Sequence, residues 1–63
     1  MVRHLKIYAV SFKKRAVRID DRTWADVHYS IDLKKFQVGQ AYNVELVQNL
    51  DGRWQLLSAE FPN

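Results

Sequence analysis

Flat aromatic rings and cationic side chains recur together in the first half of the chain. Such a pattern has a clear chemical use, because rings can stack on unpaired bases while the cations pair with phosphates. The rings fall on strand-like segments with the cations beside them, so one sheet face could hold both. The candidate binding residues for single-stranded nucleic acid are Lys6, Tyr8, Phe12, Lys14, Arg18, Arg22, Trp24 and His28.

Charge is distributed unevenly along the chain. Residues 1–22 carry seven basic and two acidic side chains, a net charge of +5, whereas residues 23–63 carry three basic and five acidic ones, a net charge of −2. This asymmetry predicts one basic face and a polyanionic partner. The alternative is a solvated surface whose charges only maintain solubility.

No arrangement typical of an enzyme is present in the sequence. The two glycines are isolated, which excludes a phosphate-cradling glycine loop, and no serine lies in a nucleophile motif. Asp20 and Asp21 are adjacent acids of the kind that form turns. The chain has no cysteine and only His4 and His28, too few for a structural zinc site. We therefore expect a binding protein without catalytic activity, metal or cofactor.

Length and composition predict one small domain over residues 1–63. Hydrophobic residues make up 48% of the chain and charged residues 27%, which is close to the globular average. No apolar run approaches the ~20 residues that span a bilayer, and no signal peptide is visible. We expect a cytoplasmic protein whose small core rests on packing alone or on packing together with self-association.

Period-two alternation predicts five short strands. Residues 4–19 alternate throughout, which fits either one long bent strand or a hairpin that turns at residues 12–15. Further strands are predicted over residues 23–30 and 42–47. The Asp-Gly pair at 51–52 predicts a second hairpin, because glycine accepts positive φ without steric cost. The last strand then runs from residue 53 to about residue 61.

Alternation also assigns side chains to the core or to the surface. On the third strand, Trp24 and His28 share the polar phase with Asp26. A shift of one residue in the first strand would reverse its two phases and bury its aromatic residues. In the first strand, one phase is predicted to face the core: Leu5, Ile7 and Ala9. The other phase is predicted to face outward: Lys6, Tyr8, Val10 and Phe12. The aromatic residues expected in the core are Tyr29, Phe36, Tyr42 and Trp54.

A single helical turn is expected after the third strand. Ser30 or Asp32 can cap it, and Leu33 and Phe36 lie three residues apart on its buried side. Closing five strands into a barrel removes exposed sheet edges. The OB-fold places a helical element between strands three and four, whereas SH3-like barrels usually place it between four and five. We therefore favour an all-β, small five-stranded OB-like barrel, with an SH3-like barrel as the alternative.

Four segments resemble the sequence pattern of minimal OB-fold modules. They are residues 16–24, which end on an aromatic at the start of strand three; residues 33–39, a Leu…Gly stretch; residues 42–46; and residues 51–56, an Asp-Gly hairpin with an apolar strand. Many such modules bind single-stranded DNA or RNA, so the resemblance implies that ligand. The chain departs from the pattern in its short loops and in the very short element between strands three and four.

The sequence thus predicts sequence-tolerant, non-catalytic binding of single-stranded DNA or RNA. Two alternatives stay open. One is a protein–protein module or homodimer that uses the same exposed aromatics. The other is a small basic protein that binds double-stranded DNA. No membrane partner is expected.

Overall fold

Six β-strands form one sheet in the computed structural model, which describes residues 1–62. In chain order, the elements are β1 (Val2–Lys6), β2 (Ala9–Ser11), β3 (Ala16–Arg18), β4 (Trp24–Val27), a 3-10 helix (Leu33–Lys35), β5 (Ala41–Gln48) and β6 (Trp54–Ala59). The order across the sheet is β1-β5-β6-β4-β3-β2. All neighbours are antiparallel except β4 and β6, which are parallel. The sheet curls strongly into a half-barrel, so the prediction of an all-β fold is confirmed.

The two edge strands of this sheet, β1 and β2, are consecutive in the chain. At the bend between them, the Ile7 N–H donates to the Gln40 carbonyl (2.9 Å), and the Ile7 carbonyl accepts the Gly39 N–H (2.8 Å). One residue later, the Tyr8 N–H donates to the Arg18 carbonyl of β3 (2.9 Å). The structure thus has six strands where five were predicted, because the chain before the first hairpin is divided at this bend. The hairpin itself is confirmed.

The bend shifts the alternation of side chains by one residue. Ile7 is fully buried, and Val10, three residues later, also packs against the core. Val10 lies opposite the buried Val17, whereas Ala9 lies opposite Arg18. The prediction that Ala9 faces the core and Val10 faces outward is therefore wrong, because strict alternation does not persist where the chain changes its neighbouring strand.

The β5–β6 hairpin lies at the centre of the core. Tyr42 and Leu46 of β5 are buried, and Leu56 of β6 has no exposed surface. Their alternation with exposed residues fits strands that place one face on the core. At the turn, Gly52 has a φ of +88°, and its N–H donates to the Asn49 carbonyl (2.9 Å). The hairpin predicted from the Asp-Gly pair is confirmed.

The 3-10 helix closes one end of the core. Asp32 caps it by accepting the Lys34 N–H (3.0 Å), and Leu33 and Phe36 are buried, as predicted. Phe36 packs edge-on against Tyr42, with 5.2 Å between the ring centroids. Within residues 1–62, no helix is long and apolar enough to cross a membrane.

Two aromatic residues that were expected in the core differ from that expectation. Tyr29 is 84% exposed, so its assignment to the core is wrong. β4 ends at Val27 and Tyr29 lies in the turn that follows, so the alternation of the strand no longer applies to it. Trp54 packs against the core but is only partly buried. Phe36 and Tyr42 are buried, as predicted.

Candidate nucleic-acid interface

Strands β2, β3 and β4 present one surface away from the core, which we call the outer face. Val17 and Ala25 pair across β3 and β4, and both are fully buried, so they mark the inner side. Arg18 and Trp24, the next pair in the same register, lie on the opposite side because successive side chains alternate. Ala9 continues this row on β2.

One group of predicted binding residues lies where β4 begins. Trp24 is 42% exposed and Tyr8 is 41% exposed. The Tyr8 N–H donates to the carbonyl of Arg18, and Arg18 is the register partner of Trp24, so the two aromatic residues flank Arg18. The Lys6 ammonium lies 5.4 Å from the centroid of the Tyr8 ring, within the range of a cation–π interaction. We call Lys6, Tyr8, Arg18, Arg22 and Trp24 the Trp24 cluster.

One carboxylate fixes the turn that leads into this cluster. Asp20 accepts the Arg22 N–H at 2.8 Å and the Thr23 N–H at 2.7 Å. These hydrogen bonds favour the charged form and hold the pKa of the exposed Asp20 carboxyl below its ordinary value. The turn therefore fixes the backbone position of Arg22, two residues before β4 begins at Trp24.

A second group lies at the opposite end of the outer face, around the β2–β3 turn. Phe12 is 62% exposed at this turn, and Lys14 is also exposed there. His28, the residue after β4, is half-buried, and its Nδ1 lies 2.7 Å from the Ser30 hydroxyl. The His28 ring packs on the ring of Tyr29, with 4.3 Å between centroids. We call Phe12, Lys14, His28 and Tyr29 the Phe12 cluster.

Arg15 ties this turn to the end of β4. It is the one non-glycine residue with a positive φ (+51°) in the part of the chain that the structure describes. Its guanidinium donates to the carbonyls of His28 (2.9 Å) and Ile31. Its own carbonyl accepts the Val27 N–H (3.0 Å). These bonds hold the turn against the segment that follows β4 and so keep the Phe12 cluster together.

The predicted residues therefore lie in two groups, at the two ends of β2, β3 and β4, and not at one point. Ala9, which follows Tyr8 in the chain, and Phe12 are three residue steps apart along β2, so the two ends of this strand lie about 10 Å apart. Asp26 projects between them, and its Oδ2 lies 3.0 Å from Nη2 of Arg53. This ion pair reduces the repulsion that Asp26 would exert on a phosphate.

Two residues of this region, Tyr29 and Arg53, were not predicted as part of the site. No local pattern marked Tyr29 as exposed, because the alternation of residues 23–30 continues through it although β4 ends at Val27. The position of Arg53 depends on the parallel pairing of Ala25 with Trp54, which places the start of β6 beside β4. No local sequence pattern encodes that pairing.

A separate pocket of about 380 Å³ lies at the end of the core that the helix closes. Lys35, Tyr42 and Phe61 are among the residues that line it, and none of the predicted binding residues does. Among residues 1–62, no group of three or more His, Cys, Asp or Glu side chains could hold a metal ion. The outer face is thus an open surface, distinct from this pocket.

Comparisons with known proteins found no similar protein-family model, no similar curated protein and no similar solved structure. The function is therefore argued from the geometry of the outer face.

Proposed function

We propose that this protein binds single-stranded DNA or RNA on its outer face and catalyses no reaction. The observation that carries the proposal is the Trp24 cluster, where two large rings, each about two-fifths exposed, flank Arg18 and the Lys6 ammonium lies over one of them. Exposed large aromatic residues of this kind are common in binding sites. We place this activity in the cytoplasm, which the cysteine-free sequence favours.

We further propose that the half-barrel belongs to the OB class. If β1 and β2 count as two halves of one bent strand, the chain has five strands. The two edges of the sheet then belong to the same strand, as in a barrel. The helical turn then lies between the third and fourth strands, as in OB-folds and not as in SH3-like barrels. OB-folds bind oligonucleotides on the face of their second and third strands, which correspond here to β3 and β4.

The geometry suggests how a single strand would lie. Bases would stack on Trp24 and Tyr8, each stack contributing about 1–3 kcal/mol, while the cations pair with phosphates. Phe12, about 10 Å away along β2, offers a further ring for a neighbouring base. Every base has a flat face, so this mode of binding tolerates different sequences.

The direct test replaces Trp24 and measures binding to a labelled oligonucleotide by fluorescence anisotropy. Trp24→Ala should weaken binding by about 5- to 150-fold, the equivalent of one lost stack, and should leave the melting temperature nearly unchanged. The matched control is Leu50→Ala, because Leu50 is fully exposed in the β5–β6 turn and belongs to neither cluster. Unchanged binding by Trp24→Ala would contradict the proposal.

Salt dependence and strand preference separate the alternatives. If three or four cations pair with single-strand phosphates, raising salt from 50 to 200 mM should weaken binding by roughly 20- to 60-fold. Tighter binding to a duplex than to a single strand would favour a double-stranded DNA-binding protein. A lack of binding to any oligonucleotide at low salt would favour a protein partner for the same aromatic residues.

A further inference from the structure

Strand β1 pairs along only one of its two edges. Successive residues of a strand direct their backbone N–H and C=O groups to opposite sides. On the β5 side, the Met1 carbonyl accepts the Leu46 N–H (2.9 Å), and both backbone groups of Ile7 bond to the chain just before β5. The backbone N–H and C=O groups of the odd-numbered residues of β1 therefore point toward β5. The backbone groups that face away from β5 belong to Val2, His4 and Lys6.

The second edge of β1 lies beyond the end of β3. The N–H groups of the even-numbered residues of β1 point away from β5. The N–H of Tyr8, which continues this series, points to the same side and donates to the carbonyl of Arg18 (2.9 Å). β3 ends at Arg18, and the chain turns back because the Ile19 N–H donates to the Thr23 carbonyl (2.9 Å). Within residues 1–62, no backbone hydrogen bond reaches the even-numbered residues of β1 from this side. We call this side of β1 the free edge.

The two surfaces beside the free edge have different chemistry. On the inner side, Leu5 and Ile19 pack against the core but remain partly exposed. On the outer side, His4 and Lys6 are exposed together with Val2, while Arg3 shares the phase of Leu5 and is exposed at the N-terminal end of the inner side. β1 carries no acidic residue. At the C-terminal end of β1, an added strand would therefore meet the apolar surface of Leu5 and Ile19 on one face and the ammonium of Lys6 on the other.

We propose that the free edge of β1 binds an extended segment of a partner protein whose side chains alternate between apolar and acidic residues. The segment adds a strand beside β1, in line with β3, and its backbone pairs with the N–H and C=O groups of the even-numbered residues. Its apolar side chains cover Leu5 and Ile19, and its carboxylates face His4 and Lys6. This site adjoins the Trp24 cluster and shares Lys6 with it, but the addition of a strand does not depend on nucleic-acid binding.

Two other occupants fit the free edge less well. A second copy of β1 would place Arg3, His4 and Lys6 opposite the same basic residues, and like charges on paired strands are destabilising. A nucleic acid could neutralise the cations but lacks the alternating donors and acceptors that match a strand edge. Both occupants are separate outcomes of the test.

The test uses a fluorescein-labelled peptide of alternating valine and glutamate, seven residues long, with valine at both ends. The control peptide has the same composition, with all the glutamates at one end. Binding to the full chain is measured by fluorescence anisotropy. We expect the alternating peptide to bind at least about tenfold more tightly than the control, because only alternation separates the two kinds of side chain across the new strand. Equal affinity of the two peptides would overturn the proposal.

Backbone pairing is tested on the peptide, so the result does not depend on the folding of a variant. One version carries N-methyl groups on the odd residues and another on the even residues, so each loses the donors of one edge. Exactly one version should lose affinity, by about two- to tenfold for each hydrogen bond removed. Equal effects of the two versions would show that the peptide does not add as a strand.

A protein variant then locates the edge. His4→Pro removes an N–H of the free edge, and prolines are tolerated on edge strands where that N–H faces solvent. His4→Ala is the matched control, since it removes the same side chain but keeps the N–H. Peptide binding should fall about two- to tenfold further in His4→Pro than in His4→Ala.

The remaining outcomes of these measurements decide between occupants. The melting temperatures of the two His4 variants report whether the fold is intact, and oligonucleotide affinity, measured on the same samples, should be equal in the two. A fall in oligonucleotide affinity of His4→Pro without a fall in peptide affinity would assign the edge to nucleic acid. A concentration-dependent dimer of the wild type that His4→Pro abolishes would assign it to a second copy. Either result overturns the proposal.

Discussion

The β5–β6 hairpin and the β2–β3 hairpin each turn through a residue with a positive φ, but the residues differ. Gly52, with a φ of +88°, has no Cβ and adopts this conformation freely. Arg15, with a φ of +51°, carries a steric penalty of about 1–2 kcal/mol. Its guanidinium offsets that penalty by donating to the carbonyls of His28 and Ile31. The β5–β6 turn is therefore specified by local backbone chemistry, and the β2–β3 turn by contacts that are distant in sequence.

The two hairpins also differ in what their strands do. β5 and β6 are eight and six residues long and bury Val44, Leu46 and Leu56. β2 and β3 have three residues each and lie beside the exposed rings of Tyr8 and Phe12. A small domain has little apolar surface to spare. The difference shows that one hairpin supplies the packing that lets the other keep aromatic residues on the surface.

The largest effect should come from removing core volume in the long hairpin. Leu56→Ala should lower the free energy of unfolding by about 2–5 kcal/mol, since Leu56 has no exposed surface. The control Leu50→Ala changes the same residue type in the same hairpin, at a fully exposed position, and should have an effect within about 0.5 kcal/mol. Urea denaturation measures both. Similar effects of the two variants would remove the contrast between the hairpins.

A smaller effect is expected at the two turns. Arg15→Ala should lower the free energy of unfolding by about 2 kcal/mol, because two carbonyls lose a charged donor while the backbone penalty remains. Arg15→Gly loses the same hydrogen bonds but removes the steric penalty of the positive φ, so it should recover about 1 kcal/mol of the lost stability.

Gly52→Ala serves as the control for the Arg15 variants. A Cβ at Gly52 would meet nothing within 4 Å, so this substitution reports the backbone penalty alone. Thermal denaturation of the three variants gives the comparison. Equal stability of Arg15→Ala and wild type would mean that the guanidinium contacts do not hold the turn.

The smallest effect concerns acid, at the turn before β4. The pKa of the Asp20 carboxyl lies below its ordinary value of 3.8 in the folded protein, because its charged form accepts the Arg22 and Thr23 N–H groups. The charged carboxylate therefore stabilises the fold above the unfolded-state pKa, and this contribution is lost as the pH falls through the folded-state pKa. Melting temperatures from about pH 6 to about pH 3 should fall more for wild type than for Asp20→Asn. Parallel pH profiles would contradict this assignment.

Features that depend on a few neighbouring residues could be predicted from the sequence. The Asp-Gly turn, the cap at Asp32 and the burial of Leu33 and Phe36 each follow from local backbone chemistry or spacing. Features set by distant strands could not. The end of β4 is fixed by its pairing, so Tyr29 was assigned to the core although it is exposed. The shift of phase before Val10 arises because the chain changes its neighbouring strand there.

The candidate site shows the same division. Tyr8, Phe12 and Trp24 were expected at the surface and are exposed. Their separation into two clusters, and the pairing of Asp26 with Arg53, depend on the sheet as a whole and were not predicted. Whether these residues bind nucleic acid stays a prediction, as does the binding of Lys6, Lys14, Arg18, Arg22 and His28.

The position of residues 2–11 at both edges of the sheet has a consequence for the order of folding. Pairing β2 with β3 closes a loop of only four residues, 12–15, whereas pairing β1 with β5 brings Val2 opposite Glu45. The entropy lost on closing a loop rises with its length, so the short hairpin can form early and the long-range pairing late. On a ribosome, β1 emerges long before β5, and its edges stay unpaired until most of the chain has been made. The basic residues of β1 then protect the nascent chain from pairing with its own copies, because like charges on two unpaired strands repel each other.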